Sequence, residues 1–63
     1  MFAYKVKTDK GVKEGKNYFT VIAHGTKRDM LEMAKTFDAH PETVASRVVR
    51  EKDGKAVHCY ERQ

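Results

Sequence analysis

One capped amphipathic helix, followed closely by a proline, most restricts the folds open to this chain. Thr26-Lys27-Arg28-Asp29 opens it. The Thr26 hydroxyl can accept from the Asp29 N–H, and the Asp29 carboxylate favours the helix N-terminus, a capping box with Asp in place of the usual Glu or Gln. Met30, Leu31, Met33, Ala34 and Phe37 then recur at helical spacing as a single apolar stripe. The stripe reads as plain core. Pro41 lacks an N–H and restricts His40, so the helix must stop before it. A helix with one apolar face needs a second layer to cover it.

The rest of the chain supplies strands for that layer. Phe2, Tyr4 and Val6 alternate with Lys5 and Lys7, the period-two signature of a half-buried strand. Asp9 to Asn17, with two glycines and three lysines, reads as a loop. Tyr18-Phe19-Thr20-Val21-Ile22-Ala23 is aromatic and β-branched and predicts a second strand, paired with the first as a hairpin with a loose basic tip. Being apolar on both faces, it is expected inside the sheet. Asp53-Gly54 marks a tight turn. Beyond it, Val57 and Cys59 fall on one face of a strand and Ala56, His58 and Tyr60 on the other.

The segment from Pro41 to Arg50 reads two ways. Val44, Ala45, Val48 and Val49 make a helical stripe, and His40-Pro41-Glu42 looks like a helix start. Met33-Ala34-Lys35-Thr36-Phe37 followed by Pro41-Glu42-Thr43-Val44 resembles the helix-turn-helix family. That resemblance implies β-β-α-α-β with a DNA-binding transcription regulator's recognition helix, in which His40, Glu42, Thr43, Ser46 and Arg47 would meet base edges. The chain departs from the family in having Asp38 where the turn usually holds glycine, and in lacking a third helix. The other reading makes Pro41 to Ala45 an irregular turn and Arg47-Val48-Val49-Arg50 a strand paired with Lys55–Glu61, because β-branched residues pack well on a pleat. It accounts for every apolar run, and we adopt it. The expectation is an α+β fold, β-β-α-β-β, an antiparallel sheet with one helix packed on it, in a single domain spanning 1–63.

At 63 residues the chain buries only about 60% of its unfolded surface, so a homodimer or partner surface would help it. Cys59 is the only cysteine, which excludes an internal disulfide and fits a reducing cytosol. Residues 1–20 hold no apolar run resembling a signal peptide, and no stretch is apolar enough for a membrane span. A cytoplasmic location is expected. His24, His40, His58 and Cys59 lack the paired short spacings of zinc sites. His58 and Cys59 are strand neighbours facing opposite ways, not a nucleophile and its base. No enzyme activity, metal or cofactor is expected.

The formal charge is +4, from 13 basic and 9 acidic residues. Residues 1–16 carry five lysines (Lys5, Lys7, Lys10, Lys13, Lys16) against Asp9 and Glu14, which leaves +3 there. Such an edge attracts phosphate backbones or acidic protein surfaces, or simply blunts a sheet edge and aids solubility. Arg47 and Arg50 could add bidentate contacts. Tyr4, Tyr18 and Tyr60, if exposed beside lysines, could stack on bases or anchor an interface. The candidate binding residues are therefore Lys5, Lys7, Lys10, Lys13, Lys16, Arg47, Arg50, Tyr4 and Tyr60.

The N-terminal hairpin, the strand ending in Ala23-His24-Gly25-Thr26, the capped helix and the final Arg47-Val48-Val49 strand pair together resemble small phage-encoded inhibitor proteins. These include compact anti-CRISPR proteins and inhibitors of bacterial RNA polymerase. The resemblance covers most of the chain as a pattern of elements. It implies a stoichiometric blocker of a nucleic-acid-handling host machine, its partner a protein or nucleoprotein complex, or nucleic acid directly.

Overall fold

The structure, a computed structural model, describes residues 1–62. Its elements are β1 (Phe2–Thr8), a short α1 (Asp9–Lys13), β2 (Thr20–Gly25), α2 (Lys27–Asp38), β3 (Thr43–Arg50) and β4 (Ala56–Glu61). All four strands form one sheet in the order β2-β1-β3-β4, with each neighbouring pair antiparallel. The α+β fold and the order of its major elements are as expected, with α1 as an addition. Asp9–Lys13 contains Gly11 and two lysines and reads as loop, yet Thr8 caps it, its hydroxyl accepting from the Gly11 N–H at 3.2 Å.

The segment open to two readings is a strand. Thr43–Arg50 pairs with β1 on one side and β4 on the other, so residues 43–50 form no recognition helix and the helix-turn-helix arrangement is absent. Thr43 and three valines prefer a pleat, and a central position satisfies their backbone on both edges. The strand begins earlier than expected, leaving only Ala39 to Glu42 as the turn.

A second correction concerns β2. It starts at Thr20, not Tyr18, and it is an edge strand, with Val21 and Ile22 more than two-fifths exposed. Apolarity on both faces suggested an interior place. Sheet order is instead set by the crossover: α2 carries the chain over β1, so β3 docks on the far side of β1 and leaves β2 outside. Both edge strands hold an extra residue in their ladders, Ile22 between the Tyr4–Ala23 and Lys5–Val21 pairs and Val57 between Val48–His58 and Val49–Ala56. Such bulges disrupt an edge that would otherwise invite another strand. The β3–β4 connection spans Glu51–Lys55 rather than a two-residue turn. Gly54 takes φ +72°, which suits glycine, and the Arg50 N–H donates to the Lys55 carbonyl at 2.8 Å.

Helix α2 covers one face of the sheet. Tyr4, Met30, Ala34 and Val48 form the buried centre, with Phe2, Val6, Ala23, Leu31 and Met33 packed around it. Phe37, the last residue of the stripe, is 44% exposed, its ring centroid 6.3 Å from that of Tyr4. The helix is fastened to the sheet by Asp38 at its C-terminal end. Asp38 Oδ1 accepts from the Tyr4 hydroxyl at 2.8 Å and the Ser46 hydroxyl at 2.6 Å, and Oδ2 meets His58 Nε2 at 2.9 Å. One carboxylate thereby joins α2 to β1, β3 and β4. Burial first, and the bond to Asp38 second, push the Tyr4 phenol far above its ordinary value.

Two surface clasps hold the ends. Arg62 is bidentate on Asp9 at 2.8 Å and also donates to the Pro41 carbonyl. Arg50 is bidentate on Asp53 at 3.1 and 2.7 Å. The guanidinium hydrogen bonds hold both carboxyls below the usual aspartate range. A depressed folded-state value means stabilisation that is complete above the unfolded value of about 3.9 and lost as pH falls through the folded one. Asp9→Asn combined with Asp53→Asn should therefore lower the melting temperature at neutral pH, and the gap from wild type should close as pH falls below about 4. Thermal melts across that range check it; a gap constant with pH would show that the clasps contribute nothing through ionisation.

Candidate functional site

The face of the sheet away from α2 is built from the lysine side of β1. Because opposed residues in an antiparallel pair share a face, the register defines what stands on it. One row runs Val21, Lys5, Arg47, Cys59 from β2 to β4, and the row on one side of it holds His24, Ala3 and Val49. The row on the other side runs Lys7, Ala45, Glu61. Ala3, Ala45 and Val49 are buried, a floor of small residues from which the long cationic side chains rise. The Phe19 ring lies beside Lys7 and Arg47, with Lys7 Nζ 5.4 Å and Arg47 Cζ 4.8 Å from its centroid.

Lys5 and Arg47 stand directly opposite each other on adjacent strands. Like charges in that position destabilise a sheet. The ion pairs among the described residues engage Lys16, His24, Arg50, His58 and Arg62, and none relieves Lys5, Lys7 or Arg47. Lys7 donates only to the Asn17 side chain, at 3.4 Å, and the cation–π contacts with Phe19 are the main local compensation. Glu61 is the one acid in these rows, at the β4 edge. A depression of about 230 Å³ lies among Lys7, Phe19, Ala45, Arg47, Cys59 and Glu61. Small-molecule sites occupy roughly 300–1,000 Å³, so the surface suits an extended ligand lying across it better than a small molecule enclosed by it.

The sequence candidates divide accordingly. Lys5, Lys7 and Arg47 come together on this face. Lys10 and Lys13 lie on α1, and Lys16 in the loop after it, 3.7 Å from Glu14; they continue the positive charge past the end of β1. Arg50 already gives its bidentate contact to Asp53 and is not free to offer it elsewhere. Tyr4 is fully buried and cannot touch a partner, because β1 turns Phe2, Tyr4 and Val6 toward α2. Tyr60 pairs with Ser46, which places it half-buried on the helix side. Tyr18 is 60% exposed just before β2, so the three tyrosines form no common surface. Phe19 was missed because it read as strand core; the signal was an aromatic pair, Tyr18-Phe19, at the end of a lysine-rich loop.

The histidines are engaged separately. His24 meets Glu51, His40 Nδ1 accepts from the Glu42 N–H at 3.2 Å, and His58 meets Asp38. Among the described residues no three potential ligands gather as a metal site, and no helix is long and apolar enough to cross a membrane. Compared with protein-family models, curated proteins and solved structures, the chain matches none of them.

Proposed function

We propose that this chain is a small, non-enzymatic binding protein whose uncovered sheet face engages the nucleic acid of a nucleic-acid-handling assembly. The observation that carries the reading is the opposed Lys5–Arg47 pair, flanked by Lys7 and Phe19 and, among the described residues, in no ion pair with a carboxylate. Departures from local stability rules are characteristic of functional surfaces, and a phosphate backbone supplies the missing counter-charge. Lys10, Lys13 and Lys16 extend the field and steer approach. The resemblance to phage-encoded inhibitors supports a stoichiometric mode of action, in which the chain occupies a host machine's nucleic-acid path and turns nothing over.

Fluorescence anisotropy with labelled oligonucleotides tests this. Binding should weaken sharply between about 50 and 200 mM salt. The Lys5→Glu, Lys7→Glu, Arg47→Glu triple variant should bind at least tenfold more weakly, with a salt slope reduced by roughly 2, since each phosphate contact contributes about 0.7–0.9. Reversing Lys10, Lys13 and Lys16 should also weaken binding and flatten its salt dependence, by less. Binding that is insensitive to salt and to the triple variant would overturn the reading.

A further inference from the structure

We infer that the ligand of the uncovered sheet face is single-stranded nucleic acid, an inference that rests on the function proposed above. The first ground is shape. Duplex readers insert a helix or a two-stranded ribbon into a major groove about 12 Å wide. Here α2 packs on the opposite side of the sheet, and α1 has only 5 residues. Four strands at about 4.8 Å spacing span roughly 14 Å between the outer backbones before any side chain is counted. The face is too broad to enter a groove, but a splayed strand can lie across it.

The second ground is the chemistry of the aromatic. In a duplex the bases stack on one another and present only their edges, whereas a single strand also presents base faces. Phe19 is a half-buried ring at the border of the face, with two flexible cations against it. Arg47 makes no ion pair among the described residues. A base can displace either cation from the ring, or stack on the guanidinium plane, while the released charge meets the adjoining phosphate. Lys5, two residues from Lys7 on β1 and opposite Arg47, places a further cation along the same track. Aromatic stacking beside lysines that track a backbone is the arrangement that binds single strands without strong sequence preference.

The test compares a labelled thymidine 20-mer, a length of roughly one to several site sizes, with the thymidine–adenosine duplex of equal length at one salt concentration. The single strand should bind at least tenfold more tightly. Phe19→Ala should weaken single-strand binding roughly 5- to 100-fold while leaving the salt slope unchanged. Phe19→Tyr should restore it, and Phe19→Leu, which keeps an apolar side chain if the alanine variant folds poorly, should not. Equal or tighter duplex binding, or a Phe19→Leu variant of wild-type affinity, would overturn the single-strand inference and leave a general polyanion surface standing. Failure to bind either oligonucleotide would overturn the proposed function itself.

Discussion

Asp38→Ala is expected to unfold most of this protein at physiological temperature. The substitution removes the acceptor of two fully buried hydroxyls, Tyr4 and Ser46, and the partner of His58. A buried polar group left without a partner costs about 1–3 kcal/mol, so the two hydroxyls alone put the loss at roughly 2–6 kcal/mol. A core of this size rarely supplies more than about 3–5 kcal/mol in all. Asp38→Asn, which retains a carbonyl oxygen to accept from both hydroxyls, should cost distinctly less. Tyr4→Phe removes one bond to a charged acceptor, and about 1.5–3 kcal/mol is expected. Urea denaturation followed by circular dichroism separates the three. If Asp38→Ala changed stability by less than about 0.5 kcal/mol, the level of an ordinary surface substitution, the carboxylate would not be what fastens α2 to the sheet.

Lys5→Glu is expected to move stability and binding in opposite directions. It places a carboxylate opposite Arg47, turning a like-charge pair into an attractive one without disturbing the Arg47–Phe19 stack. Cross-strand pairs of this kind contribute about 0.2–1 kcal/mol, so the variant should be more stable than wild type by up to roughly 1 kcal/mol. Oligonucleotide affinity should fall about tenfold or more, because a phosphate contact is replaced by a repulsion. A stability gain with loss of binding is the mark of a surface kept unfavourable for its ligand. A variant that bound normally, whatever its stability, would place the ligand elsewhere.

The parts of this fold that were legible from sequence are those set by local chemistry. Alternation in Phe2–Thr8 located β1 and told its two faces apart. The Thr26 cap and the stripe from Met30 to Phe37 located α2, and the Asp53-Gly54 signal lay within the loop joining the last two strands. What was not legible depended on contacts distant in sequence. Nothing local marked Asp38 as a tether, because its partners are 34, 8 and 20 residues away. Tyr4 read as a potential surface aromatic, yet the same alternation that marks β1 sends it inward. Ile22 and Val21 read as interior, but the path of the chain over β1 makes their strand an edge. The lysines of the face could be listed from the sequence. Their meeting with Arg47 and Phe19 required the β1–β3 register, which no local signal encodes.

The most direct test of the binding face is an NMR titration of the ¹⁵N-labelled chain with a single-stranded oligonucleotide at low salt. Amide perturbations should concentrate at Lys5, Lys7, Phe19, Val21 and Arg47 and fade as salt is raised, while α2 stays unchanged. Perturbations centred on the exposed side of α2, or none at any salt concentration, would contradict the assignment of this face as the binding surface.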